Sequence, residues 1–203
     1  MKTLFFTLSL LSACNNDKTL DDVENAEVET HTGEVASEPL EPVGVMSAED
    51  CQHINIGDKA CNFRLTDQTG EVWDLYEHEG DVVVLDFSAV WCYPCQMAAD
   101  HTQGLQDDYA DDGVHIVTVL IDGMNRPDPP TEDEIFSWTT SHRITSAPVL
   151  QGSRDKMLDS YGIEGYILSA FPTYIYIGRD LKFYGAHVGF GDEYVREKIE
   201  EGL

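Results

Sequence analysis

The sequence predicts one α/β domain, a central mixed β-sheet flanked by helices. Three observations carry this: two continuous apolar runs of strand length, a helical period between them, and a later pair of β runs followed by a terminal helix. "DVVVLDF" (81–87) and "VHIVTVLID" (114–122) are the apolar runs, the pattern of strands buried on both faces. Between them "PCQMAADHTQGLQDDYADDG" spaces Ala98, Leu105 and Tyr109 as a helix would, and stops at Gly113. Gly104 is a point where that helix could bend. Strand, helix and strand at this spacing predict a right-handed βαβ unit with parallel strands.

Further along, "RPDPP" reads as a loop, and "TEDE" (131–134) has capping-box form ahead of Ile135, Phe136 and Trp138, so a helix starts there. "SRDKMLDSYG" predicts a short helix closed by Gly162. "FPTYIYIGRDLKFYGAHVG" predicts a hairpin turning at Gly178-Arg179-Asp180, and "DEYVREKIEEGL" a last helix with Asp192 as its N-cap. The order is βαβ, a helical insertion, then ββα.

The folded domain is expected over residues 49–203. The chain has 203 residues, with 12 Lys and Arg against 38 Asp and Glu, a formal net charge of -26. Nucleic-acid binding needs a basic footprint and is excluded, and adsorption to anionic headgroups is disfavoured. The start, "MKTLFFTLSLLSACNND", has Lys2 before an apolar Thr3–Leu11 stretch too short to remain as a membrane span. "LSAC" resembles the lipobox of bacterial lipoproteins. The resemblance implies a signal peptide over 1–13 and lipid attachment at Cys14, with the mature protein outside the cytoplasm, where disulfides persist. Asn15, in place of the aspartate that in many Gram-negative bacteria retains lipoproteins at the inner membrane, favours an outer-membrane or surface anchor. Residues 14–48 are acidic and lack aromatic side chains, so they read as a flexible, self-repelling tether.

"WCYPC" (91–95) carries the chemistry. Cys92 falls where the first central strand gives way to its helix, so free N–H groups and the helix dipole favour a thiolate. Cys95 sits about one turn further in, and Pro94 is tolerated in a first helical turn. A zinc site would want a second close pair, which Cys51 and Cys61 do not supply, and the seven histidines are scattered along the sequence. No metal or other cofactor is expected. A purely structural disulfide over so short a loop gains little. Redox cycling is the use that remains.

"VVVLDFSAVWCYPC" with "FPT" (171–173) before a hairpin is similar to the active-site strand, motif and cis-proline loop of the thioredoxin superfamily. "INIGDKACNFRLTDQTGEVWDLYEHEGD" resembles the N-terminal β-hairpin extension of its TlpA/ResA-like, AhpC/TSA-related branch, and the helical insertion before the proline fits that branch. The resemblance spans residues 54–203. It implies a thioredoxin-like fold, Cys92 as the attacking nucleophile, Cys95 as the resolving thiol and Pro172 as cis, in the loop that docks substrate backbone. Trp91, Tyr93, Pro94, Phe171 and Thr173 would surround them. Asp86 departs from the asparagine of most TlpA-like proteins. An acid inside a buried run is costly if ionised, so it is expected to serve as a proton acceptor within reach of Cys95, directly or through water. Ser88 stands where many relatives have tryptophan.

These residues predict a thiol–disulfide oxidoreductase acting on extracytoplasmic protein thiols and disulfides as a monomer. Pro94 before the second cysteine resembles reductant motifs, and acidic surroundings would disfavour a thiolate further. A reductant recharged by a membrane electron donor is therefore expected. The alternatives are a disulfide oxidase or isomerase, a thiol peroxidase, a copper-delivering relative and a non-enzymatic tethered module. The peroxidase would want a threonine where Ala89 stands, and the copper protein a CxxxC pair. Of five cysteines, one taken by lipid and two by chemistry leave Cys51 and Cys61 for a structural disulfide, or as two buried free thiols.

Overall fold

The computed structural model describes residues 40–46, 55–158 and 165–203. The expected signal peptide, Cys14, Cys51 and most of the expected tether lie outside the described residues. The tether's expected end does not: Gly44–Val45 forms a short edge strand, β1, paired antiparallel to β2 (Phe63–Thr66), which pairs with β3 (Val72–Asp74). Gly44 is required there. It has φ +74, and a Cβ would lie 2.6 Å from the Lys156 carbonyl oxygen. The expected N-terminal hairpin is thus a three-stranded sheet.

The central sheet contains β4 (Val82–Ala89), β5 (Val114–Asp122), β6 (Val149–Gln151), β7 (Thr173–Ile177) and β8 (Phe183–Val188) in the order β6-β5-β4-β7-β8. β4, β5 and β6 run parallel, and β7 and β8 antiparallel, giving the mixed sheet of a thioredoxin-like fold. β6 is absent from the sequence expectation because three residues carry no readable period.

Alternation along β4 separates the two faces. Val83, Leu85 and Phe87 join a core with Phe63, Leu65, Trp73, Met157 and Tyr166, beneath the small sheet. Val82 and Val84 join Leu105 and Tyr109 of α1 (Tyr93–Tyr109) and Val195 and Ile199 of the last helix. Helix α1 runs unbroken through Gly104. Helix α2 (Glu132–His142) packs Ile135 and Trp138 against α1 and β6, and its capping box is formed as expected by Thr131 and Glu134.

Two helix boundaries differ from expectation. Helix α3 is a single turn, Arg154–Met157, because Leu158 turns extended and bridges to Tyr166 instead of continuing toward Gly162, which is outside the described residues. The last helix, α4, is Asp192–Gly202 with Gly191 as N-cap. Asp192 is its first helical residue and accepts a 2.8 Å bond from Arg196 one turn on, which takes its carboxylate away from the backbone.

Candidate active site

The C-terminal end of β4, the start of α1 and the loop before β7 meet at one place. Cys92 is the N-cap of α1 and Pro94 falls in its first turn, which holds no acidic residue. The Cys92 carbonyl accepts from the N–H groups of both Cys95 and Gln96 at 3.1 Å, fixing the two cysteines on one turn. They form a disulfide with Cα atoms 5.2 Å apart. Cys92 is 3% exposed and Cys95 is fully covered, whereas Tyr93 is 70% exposed, so the turn presents its middle to solvent and its sulfurs inward.

The Phe171–Pro172 bond is cis, and the Phe171 carbonyl oxygen lies 3.7 Å from Cys92 Sγ. Pro172 is buried, and its own carbonyl accepts from Gly189 N–H at 2.8 Å. Thr173 closes the turn by donating its hydroxyl to the Ala170 carbonyl at 2.6 Å. The main-chain group left facing Cys92 is therefore that of Phe171.

Trp91 packs edge-on against Phe171, ring centroids 6.2 Å apart, and donates Nε1–H to Asp122 Oδ2 at 3.2 Å. Asp122 ends β5 with no exposure, and Arg154 clasps it with two bonds of 2.7 and 2.6 Å. Arg126 lies over the Trp91 ring at 4.4 Å. Trp91, Arg126, Arg154, Leu158, Leu168 and Phe171 line a cleft of about 360 Å³. The rim of this cleft carries two arginines within a chain of formal net charge -26. Two guanidinium groups stand there beside Trp91 and Phe171, and that of Arg154 is paired with the buried Asp122.

Asp86 is 1% exposed in the middle of β4, on the face that α1 covers. Its Oδ1 accepts from the Ser88 hydroxyl at 2.8 Å, while Oδ2 has no hydrogen-bond partner of good geometry. Burial raises its pKa to about 7, against a smaller opposing effect of the Ser88 hydroxyl and of Tyr174 directly across on β7. A serine that had no reading in the sequence thus has one in the fold: it is the donor that the buried carboxyl keeps. The side chains that act on Asp86 by hydrogen bonding are Ser88 and Tyr174.

Cys61 is buried under the small sheet, its carbonyl accepting from the Tyr166 hydroxyl at 3.0 Å, and it is disulfide-bonded. The proposed partner, Cys51, lies outside the described residues. Asp122, Arg126 and Arg154 escaped the sequence reading. Asp122 carried a signal, an acid closing a mostly apolar strand run, the same anomaly that singled out Asp86. The arginines gave none, since their convergence depends on how the loop after β5 and the start of α3 pack together. The histidines are also less scattered than their sequence positions: His78 and His115 meet at the opposite end of β4 from the cysteines.

The fold and this site have counterparts. Residues 56–182 match the model of the AhpC/TSA family. The thiol-disulfide oxidoreductase ResA of Halalkalibacterium halodurans is 29% identical over 145 residues, 71% of this chain and 75% of the relative. A protein assigned as a thiol:disulfide interchange protein DsbE, from Chlorobium tepidum, superposes with a TM-score of 0.61 at 27% identity, covering 73% of this chain and 98% of that one. The pneumococcal exposed lipoprotein thioredoxin Etrx1 of Streptococcus pneumoniae gives 0.57 at 25% identity, covering 69% and 98%. The chain belongs to the AhpC/TSA family, in the ResA-like branch of the thioredoxin superfamily.

Proposed function

We propose that this thiol–disulfide oxidoreductase works outside the cytoplasm as a lipid-anchored reductant of protein disulfides. One observation supports the reading above others: Cys92 caps α1 with its sulfur against the Phe171 carbonyl, while Cys95 lies fully covered behind it. In the dithiol form the Cys92 thiolate attacks a client disulfide sulfur. A Cys92–client bond forms, the client's S–S bond breaks, and the departing client thiolate takes a proton. Cys95 then gives up its proton and attacks Cys92 Sγ, releasing the second client thiolate and leaving the Cys92–Cys95 disulfide. Two electrons pass to the client, and a membrane thiol donor restores the pair. Asp86, neutral or charged near pH 7 according to small changes around it, is suited to receive the Cys95 proton.

Pro94 adds no donor beside the nucleophile, and this favours the reducing direction. The basic rim of Arg126 and Arg154 is the observation that favours the second reading, a disulfide oxidase or isomerase, because nearby cations stabilise a thiolate. Thiol peroxidase chemistry finds less support. Ala89 is buried and apolar and offers no hydroxyl to a peroxide.

The "LSAC" tetrapeptide supports the anchor at Cys14, and the similar Etrx1 is described as an exposed lipoprotein. Cys51 is the proposed partner of Cys61, clipping the chain leading into the domain to the small sheet. Among the described residues no helix is long and apolar enough to cross a membrane.

Trapping tests the exchange roles. Full-length Cys95→Ala should accumulate mixed disulfides through Cys92 with extracytoplasmic proteins, and Cys92→Ala should accumulate none. Equal trapping by both variants would overturn the assignment of nucleophile and resolving thiol. Mass spectrometry of the native protein should find an acylated Cys14 at its mature N-terminus, and an unmodified thiol would remove the anchor.

A further inference from the structure

At the end of β4 and β5 remote from the disulfide, three potential metal ligands converge from three short segments. His78 ends a single 3-10 turn, Leu75–His78, packed under β3. Gly80, with φ +106, turns the chain back so that Asp81 N–H donates to the His78 carbonyl at 3.1 Å. His115 is the second residue of β5, in parallel register with Val83 and so beside Asp81. Its Nε2 lies 3.0 Å from Asp81 Oδ2, and its ring centroid is 4.3 Å from that of His78. One ligand atom from each of the three lies within 4.8 Å of the other two.

We infer that His78, Asp81 and His115 form a binding site for a late first-row divalent cation such as Zn²⁺ or Cu²⁺. Two imidazoles and one carboxylate match that class rather than Mg²⁺ or Ca²⁺, which take all-oxygen shells. The ligand atoms sit somewhat wider than a four-coordinate zinc ion requires, at bond lengths of about 2.0–2.2 Å, and small side-chain rotations close the difference. His78 is held by stacking on Trp73, centroids 4.7 Å apart and planes 19° apart, so one ligand is already oriented. The side chains of His115 and Asp81 are 29% and 39% exposed, which leaves an approach from solvent and space for a water ligand.

The surrounding charges are mixed. Asp74, which acts on His78 from β3, is paired with Arg64. Arg179 reaches the same corner, donating to the Gly80 and Asp112 carbonyls. The tight turn at Gly113 brings Asp81 close: a Cβ there would lie 2.8 Å from Asp81 Oδ1. A bound cation would tie the 78–81 turn to β5 and stabilise the fold by mass action, without touching the cysteines.

The test uses the oxidised full chain, in which the Cys92–Cys95 pair is not available as a thiolate ligand. Zn²⁺ titrated calorimetrically should bind at one saturable site, and His78→Gln and His115→Gln should each weaken binding at least tenfold. His142→Gln, which alters a histidine paired with Asp100 elsewhere, should leave it unchanged. Because His78→Gln also removes a stacked ring, a wild-type measurement stands beside it: the first equivalent of Cu²⁺ should show coupling to two imidazole nitrogens by electron paramagnetic resonance. Zinc affinity unchanged in both cluster variants, or a copper spectrum without imidazole nitrogen, would overturn the site.

Discussion

Replacing Asp86 by asparagine removes a carboxyl whose pKa burial raises from 3.8 to about 7. Below the lower value the acid is neutral in folded and unfolded chains alike and costs nothing. As pH rises from about 4 to about 7 the unfolded chain loses the proton and the folded one keeps it, so stability falls and then levels off. At about 1.4 kcal/mol for each tenfold in the ionisation equilibrium, the loss approaches about 4 kcal/mol, and with Asp86 1% exposed little solvent screening reduces it. Asparagine has no such dependence. It does bring an amide N–H₂ into a place where Oδ2 has no hydrogen-bond partner, at a cost of about 1–3 kcal/mol at every pH. The variant should therefore be no more stable than wild type at pH 4 and more stable by about 1–3 kcal/mol at pH 8. Urea denaturation of both oxidised proteins from pH 4 to pH 8 measures the difference, which cancels the background of surface carboxylates. Parallel curves across that range would refute the buried, proton-holding Asp86.

Ser88→Ala removes the donor on Asp86 Oδ1, so the pH at which stability levels off should move upward in the same urea series. Arg154→Ala strips two bonds from the fully buried Asp122. With Arg154 38% exposed the loss should be about 2–3 kcal/mol by urea midpoint, and Asp122→Asn in the same background should recover most of it. Thr131→Ala breaks the capping box of α2 and should lower stability by about 1 kcal/mol in thermal melts, with little effect on thiol exchange.

The parts of the fold that rest on long apolar runs were legible without coordinates. β4, α1, β5 and the β7–β8 hairpin follow from periodicity, and the cysteine pair from its place at a strand–helix junction. Shorter features were not. β1 and β6 form because neighbouring strands offer unpaired edges, which a local pattern does not encode. The N-cap of α4 went to Gly191 because Arg196 competes for Asp192, a contact one helical turn away. At the site, the place of the cysteine pair at the start of α1 and the burial of Asp86 were readable from residue type and apolar pattern. The rim was hidden by an average: a charge of -26 over the chain says nothing of two arginines brought together by the loop after β5 and the start of α3.

The central claim is that the pair donates electrons, and its reduction potential tests this most directly. Pro94 supplies no hydrogen bond or charge to a Cys92 thiolate, whereas Arg126 and Arg154 bring positive charge to the cleft lined by Trp91 and Phe171. If the proline governs, equilibration of the full chain with glutathione buffers, read by alkylation of Cys92 and Cys95, should give a potential below about -200 mV, toward that of thioredoxin. A potential near about -120 mV, the range of the strong oxidant DsbA, would mean that the arginine rim governs and that the protein oxidises its clients.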